Sequence, residues 1–321
     1  MWASTPAVVP EAARGQDLAP RALGAFIHGA PRDLGALERF EAMVLRTPAI
    51  VMWFEAWGSS DAVTGKTLSL DPLHVVAGRG AVPMITWEPW DPVAGTDQPA
   101  YRLEHITRGD FDAYINAWAY RLAAYGGPVW LRFAHEMNAS WYPWGVHVNH
   151  NTPEAYVAAW IHLRELFAAA GASNVRWVWC VDATARDSAD TTAAYPGDDH
   201  VDWVALDGYN WGTSLPNSWW RGMREIFEGT YHELAARTTR PMMIAEMGCA
   251  EHGGNKAEWI STAFGEIPVH LPRIVAACWF NNAGEAADWR IESSAGAVEA
   301  FRSVAATPQW QGLLSPEPPT G

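Results

Sequence analysis

Eight short apolar runs, each closing on a polar or aromatic residue, recur along the chain at a mean spacing of about 36 residues. They are Ala25–His28, Ile50–Glu55, Val82–Glu88, Val129–Glu136, Val175–Asp182, Trp203–Tyr209, Met242–Glu246 and Ile274–Trp279. Near-continuous apolarity is the mark of strands covered on both faces. The spacing suits a βαβ unit, which needs roughly 30 residues or more. Helical patterns fill the gaps. In the clearest, Thr152 is the N-cap, Pro153 the first helical residue, and Tyr156, Trp160, Leu163, Phe167 and Ala170 lie on one face that ends at Gly171. Others run over Asp33–Leu45, Asp110–Tyr125, Trp219–Ala236, Lys256–Phe264 and Ala295–Val304, with a turn or two at Asp190–Tyr195. Eight such units predict an α/β chain closed as a single-domain (β/α)₈ TIM barrel. An open doubly wound sheet ranks second, because no GxGxxG follows the first strand. The boundaries read as an N-terminal extension over 1–23, the barrel over 24–310 and a Pro-rich tail over 311–321.

Composition removes several function classes. The formal net charge of −14 opposes a nucleic-acid partner or an anionic membrane surface. No apolar stretch approaches the ~18 residues of a membrane span. Three cysteines, Cys180, Cys249 and Cys278, sit in or beside apolar runs and read as small buried thiols. The N-terminus shows no basic region followed by an apolar core, so no signal peptide is read there. What the chain has in excess is tryptophan, 20 in all. Many stand in loop-like segments beside Gly, Pro and acids: Trp57, Trp87, Trp90, Trp141, Trp144, Trp211, Trp219 and Trp289. A flat ring with one polar N–H suits the apolar face of a sugar.

In such barrels the site gathers at the C-terminal ends of the strands. Glu136 and Glu246, 110 residues apart, are thereby expected at one mouth. Two carboxyls among tryptophans suit glycoside hydrolysis, in which one must arrive protonated and the other ionised. By spacing alone Glu88 and Glu55 also close strands, and both read as hydroxyl-binding or structural. Asp182 and Asp207 read as holding loops or neighbouring site residues. Glu251, Glu285 and Asp288 lie in loops within reach of a substrate. His135-Glu136 begins like HExxH, but Ala139 stands where the second ligand belongs, and His147 and His150 read as a surface pair. No metal or cofactor is expected. Asn138-Ala139-Ser140 matches a glycosylation sequon whose place in the mouth argues against modification.

HEMNASWYPWG followed far downstream by IAEMG resembles glycoside hydrolase family 26, a family of retaining glycosidases on (β/α)₈ barrels, with ITWEPW and DGYNWG adding weight. The resemblance runs from about residue 24 to about 305. It implies that Glu136 is the acid/base and Glu246 the nucleophile. It also implies that Tyr209 hydrogen-bonds the nucleophile and that Trp279 forms the floor under the sugar being cleaved. His135 would hydrogen-bond a sugar hydroxyl. Strand alternation alone cannot turn both His135 and Glu136 inward, so a bulge or strand end must do so. The expected site is Glu136 and Glu246 for catalysis, with His135, Asn138, Trp141, Trp144, Tyr209, Trp211, Trp279, Trp87, Glu88, Trp90 and Trp57 on the substrate. The expected substrate is a neutral β-linked polysaccharide, cut internally by a monomer with retained configuration. β-1,4-Mannan comes first, with mixed-linkage β-1,3-1,4-glucan and β-1,3-xylan as alternatives. The size of such a polymer favours a secreted enzyme. The rival class is a carbohydrate-binding barrel without catalysis. A transglycosylase on the same site is a third.

Overall fold

The computed structural model describes residues 19–58, 67–185, 188–284 and 286–314. Most of the expected N-terminal extension, Glu285 and most of the Pro-rich tail lie outside them. Eight strands, β1 (Ala22–Ile27), β2 (Ile50–Ala56), β3 (Val82–Glu88), β4 (Val129–Phe133), β5 (Val175–Asp182), β6 (Trp203–Asn210), β7 (Met242–Cys249) and β8 (Ile274–Asn281), pair in sequence order into a closed parallel barrel. Between them lie α1 (Leu34–Val44), α2 (Asp71–Gly78), α3 (Leu103–Thr107), α4 (Asp112–Tyr125), α5 (Pro153–Ala169), α6 (Ser188–Ala193), α7 (Met223–Arg237) and α8 (Lys256–His270), with α9 (Ala295–Ala306) after β8. The expected barrel is therefore present. No helix among the described residues is long and apolar enough to cross a membrane.

The helix signals operate as read. Thr152 accepts a hydrogen bond from the Ala155 N–H at 3.2 Å, and Pro153 opens α5, which buries Tyr156, Trp160, Leu163 and Phe167 against the sheet. α7 differs. It starts at Met223, because Trp219 to Gly222 belong to a loop whose Arg221 N–H is held by Asn210 Oδ1. α2 and α3 are additional helices, too short for periodicity to reveal.

Side-chain alternation divides the core in two. Inward residues such as Ile50, Met52, Met84, Val178, Ala205, Met243 and Ala276 fill the barrel, with Trp130 and Trp203 packed together at its lower end, ring centroids 4.6 Å apart. Outward residues build a larger layer beneath the helices. Gly24 faces inward because a Cβ there would lie 2.5 Å from Cys278 Sγ and 2.7 Å from Ile50 Cβ. All three cysteines are free and buried.

Candidate active site

Two backbone departures from strand geometry create the site. β4 stops at Phe133, and Ala134 and Glu136 take left-handed conformations at φ 44° and 52°. Such φ values cost non-glycine residues on the order of 1–3 kcal/mol. Neighbouring strands hold the segment there: Ala134 N–H donates to Trp87 O, and Glu136 N–H to Cys180 O. The break lets His135 and Glu136 both reach the mouth. In β7 the register against β6 steps from Leu206–Ile244 to Asp207–Glu246, leaving Ala245 as an extra residue. Ala245 packs inside the barrel, and the bulge turns Glu246 inward as well, opposite Asp207.

Arg132, inward on β4 and fully buried, is the centre of the network. Its Nη1 donates to Asp207 Oδ2 at 2.6 Å, its Nη2 to Glu246, and its Nε and Nη2 to Thr86 Oγ1 at 2.9 and 2.8 Å. Tyr209 donates its hydroxyl hydrogen to the other Glu246 oxygen. Glu246 thus receives one charge-assisted and one phenolic hydrogen bond, partners suited to a carboxylate. Glu136 has a different setting. It accepts one hydrogen bond, from Trp141 Nε1 at 2.6 Å. Burial, then the charges of Asp207, Asp182 and Glu246, push its carboxyl well above the usual carboxylate range.

Other groups follow from crowding. Five carboxyls, Glu88, Glu136, Asp182, Asp207 and Glu246, are buried around one fully buried guanidinium. Burial raises Asp207 against the pull of Arg132, and Asp182 against its hydrogen bonds from Thr184. Glu88, at the end of β3, is raised to about 7, chiefly by burial, with Trp90 Nε1 donating to it at 3.3 Å. His135 is held neutral by burial and by Arg132, with Nε2 3.1 Å from the Tyr142 hydroxyl. His135, Glu136 and Asp207 each bring one potential metal ligand atom within 4.8 Å of the others. Burial raises the proton affinity of both Glu136 and Asp207, and Arg132 is the cation that the structure sets against Asp207.

The mouth therefore gathers Glu136, Glu246, His135, Glu88, Trp90, Trp141, Tyr209 and Trp211 of the expected residues. Trp144 lies beneath them, stacked on Tyr142 at 4.4 Å, with Nε1 donating to His135 O. Asn138 commits its amide to the Asp182 backbone in both directions, at 2.9 and 3.0 Å, which makes it a brace between β4 and β5. Three expected platforms are elsewhere. Trp87 and Trp279 occupy outward positions under the helices, Trp279 against Trp259, Phe264 and Phe301. Trp57 is buried among Trp87, Phe111, Tyr114 and Phe133. Where Trp279 was expected as a floor, Phe280 faces inward, stacked on Phe26 and edge-on to Phe54. Glu55 is held by Arg32 and Trp53. Arg132, Tyr142 and the three phenylalanines escaped the sequence reading. Strand register puts all but Tyr142, which lies on a loop, on the inward side: Phe54 and Arg132 both pair with Thr86, and Phe26 pairs with Phe280.

The sequence model of glycosyl hydrolase family 26 matches residues 81–261, more than half of the chain and the whole stretch holding Glu136 and Glu246. The chain belongs to glycosyl hydrolase family 26. Endoglucanase H of Acetivibrio thermocellus is 37% identical over 288 residues, 88% of this chain and 30% of that protein. Mannan endo-1,4-β-mannosidase A and B of Caldalkalibacillus mannanilyticus is 36% identical over 181 residues, 55% of this chain and 31% of that protein. The chain spans less than a third of the length of either relative. A Bacillus subtilis mannanase structure superposes with a TM-score of 0.67 at 20% identity, covering 92% of this chain and 87% of the other. That likeness shows the barrel fold.

Proposed function

We propose that the chain is a retaining endo-β-glycanase in which Glu246 is the nucleophile and Glu136 the acid/base. The observation that carries this reading is the unequal setting of two glutamates at one mouth. Glu246 is supplied with donors by Arg132 and Tyr209, and Glu136 is ringed by acids and buried. Glu246 attacks the anomeric carbon as Glu136 gives its proton to the departing sugar oxygen. A glycosyl ester forms on Glu246, which removes one of the charges that raise Glu136. Glu136, now ionised and with weakened proton affinity, takes a proton from the incoming water. The second displacement restores the original configuration, a course that calls for carboxyls ~5–5.5 Å apart. Arg132 and Asp207 are fully buried, so they act as positioning residues and not on the substrate.

The substrate reading is a neutral β-glucan, because the crowded carboxyls repel an acidic polymer and the Endoglucanase H match extends over more of the chain. β-1,4-Mannan is the second reading, favoured by the mannosidase match over 55% of the chain. Reducing-end release from mixed-linkage β-1,3-1,4-glucan, β-1,4-glucan, β-1,4-mannan and β-1,3-xylan tests both. Fastest release is expected from a glucan. Release from mannan alone replaces the first reading by the second. Tight binding with no release from any polymer removes the hydrolase.

A further inference from the structure

Among the described residues two tryptophans are exposed, Trp141 at 49% and Trp219 at 58%. They are built alike. Each indole N–H is fixed to a carboxylate, Trp141 to Glu136 at 2.6 Å and Trp219 to Glu225 at 3.0 Å. Each ring is thus oriented while half of its surface faces water. Trp219 is fixed further by the Arg221 guanidinium, 5.6 Å from its ring centroid. The loop beneath it is anchored on both sides. Leu215 and Ser218 close a turn on each other at 2.9–3.1 Å. Arg221 is then tied to Asn210 Oδ1 through its N–H and to Trp259 Nε1 through its carbonyl.

The loop leaves the C-terminal end of β6 and enters the first turn of α7, so it stands on the same end of the barrel as the site. At its base the Thr213 N–H donates to the His252 carbonyl at 3.0 Å, which ties the loop to the segment that follows β7.

Resting on the proposed function, we infer that Trp219 is a distal platform for a long neutral β-linked glycan. The open ring face receives the C–H face of a sugar several units from the cleaved bond. The Glu225 and Arg221 contacts hold the ring before the chain arrives, so little freedom is lost on binding.

The test compares Trp219→Ala and Trp219→Phe with wild type on the polysaccharide that wild type cleaves and on an aryl glycoside of a short oligosaccharide. Trp219→Ala is expected to raise KM for the polymer roughly threefold to tenfold, with kcat within about twofold, and Trp219→Phe to recover most of the loss. Turnover of the short substrate stays within about twofold, which also reports intact folding. An unchanged polymer KM, or equal losses on both substrates, overturns the platform. Migration of wild type and Trp219→Ala in native gels containing the polysaccharide reads binding without catalysis. Wild type that is retarded but cleaves nothing defeats the hydrolase and leaves the platform to be judged by whether Trp219→Ala runs faster. Equal retardation, or none for either chain, overturns it.

Discussion

The barrel mouth has two unlike halves. From β3 to β7 it carries Glu88, Arg132, Glu136, Asp182, Asp207, Tyr209 and Glu246. From β8 through β1 to β2 it carries Phe280, Phe26 and Phe54, with Phe26 and Phe280 stacked at 4.5 Å. The difference shows how burial and charge are combined. Carboxyls spread evenly around a wet rim would titrate independently near their ordinary values. Crowded on one side, with an apolar wall opposite, they perturb one another and lose water. Phe54 is where the halves meet, with its ring 5.8 Å from the Arg132 guanidinium and 5.8 Å from the His135 ring.

The largest effects should come from the ionic half. Glu246→Ala is expected to lower turnover of natural polymer by roughly 10⁴-fold or more. Azide added to an activated substrate then displaces the leaving group once and gives a glycosyl azide of inverted configuration. Glu136→Ala should lose about 10²–10⁴-fold and its alkaline pH limb, since activity needs a proton on Glu136, whose proton affinity burial and its acidic neighbours raise. Here azide attacks the glycosyl ester, so two displacements give an azide of retained configuration. Product anomers assigned by NMR check both, and exchanged anomers would exchange the two roles.

The apolar and ionic halves were not equally legible. The eight runs, the α5 cap at Thr152 and the two glutamates could be read because each follows from local pattern. Two of the three misplaced tryptophans share one cause. Trp87 lies between inward Thr86 and Glu88, and Trp279 between inward Cys278 and Phe280, so alternation turns both toward the helices. Residue type suggested a sugar platform, and parity decided otherwise. Parity in turn fails at Glu136 and Glu246, where left-handed φ and the bulge at Ala245 add a residue to the inward set. The strand end at Glu136 follows once His135 and Glu136 are both placed in the site, but the bulge at Ala245 depends on the neighbouring strand and no local pattern announces it. A lone arginine within an apolar run, as Arg132 is in sequence, acquires meaning only with Asp207 and Glu246 beside it.

A smaller effect tests whether crowding extends to β3. Glu88 binds its proton up to about 7 in the folded chain, against an ordinary value of 4.5. Between these values the folded chain keeps a proton that the unfolded chain has released. Stability therefore falls as pH rises through that window, by on the order of 3 kcal/mol from this group, and is level above it. Glu88→Gln keeps an acceptor for Trp90 and removes the titration. Relative to wild type it should gain stability at pH 8 and little at pH 4.5, as read from Tm at both values. Parallel shifts at the two pH values would show that Glu88 titrates normally and that the ionic half ends at β4.

The finest test separates the wall from its point of contact. Phe54→Ala and Phe26→Ala each remove one partly buried ring, and each should lower stability by about 2 kcal/mol. Their effects on catalysis should differ. Losing Phe54 admits water beside Arg132 and His135, so the burial that raises Glu136 weakens and the alkaline limb of kcat/KM moves to lower pH. Phe26 has its ring contacts with Phe54 and Phe280, and its loss should leave that limb in place. If both variants move the limb equally, the wall acts as a whole by excluding water, and Phe54 is one brick in it. If neither does, the proton affinity of Glu136 comes from its acidic neighbours alone, and the division between halves describes packing without bearing on the chemistry.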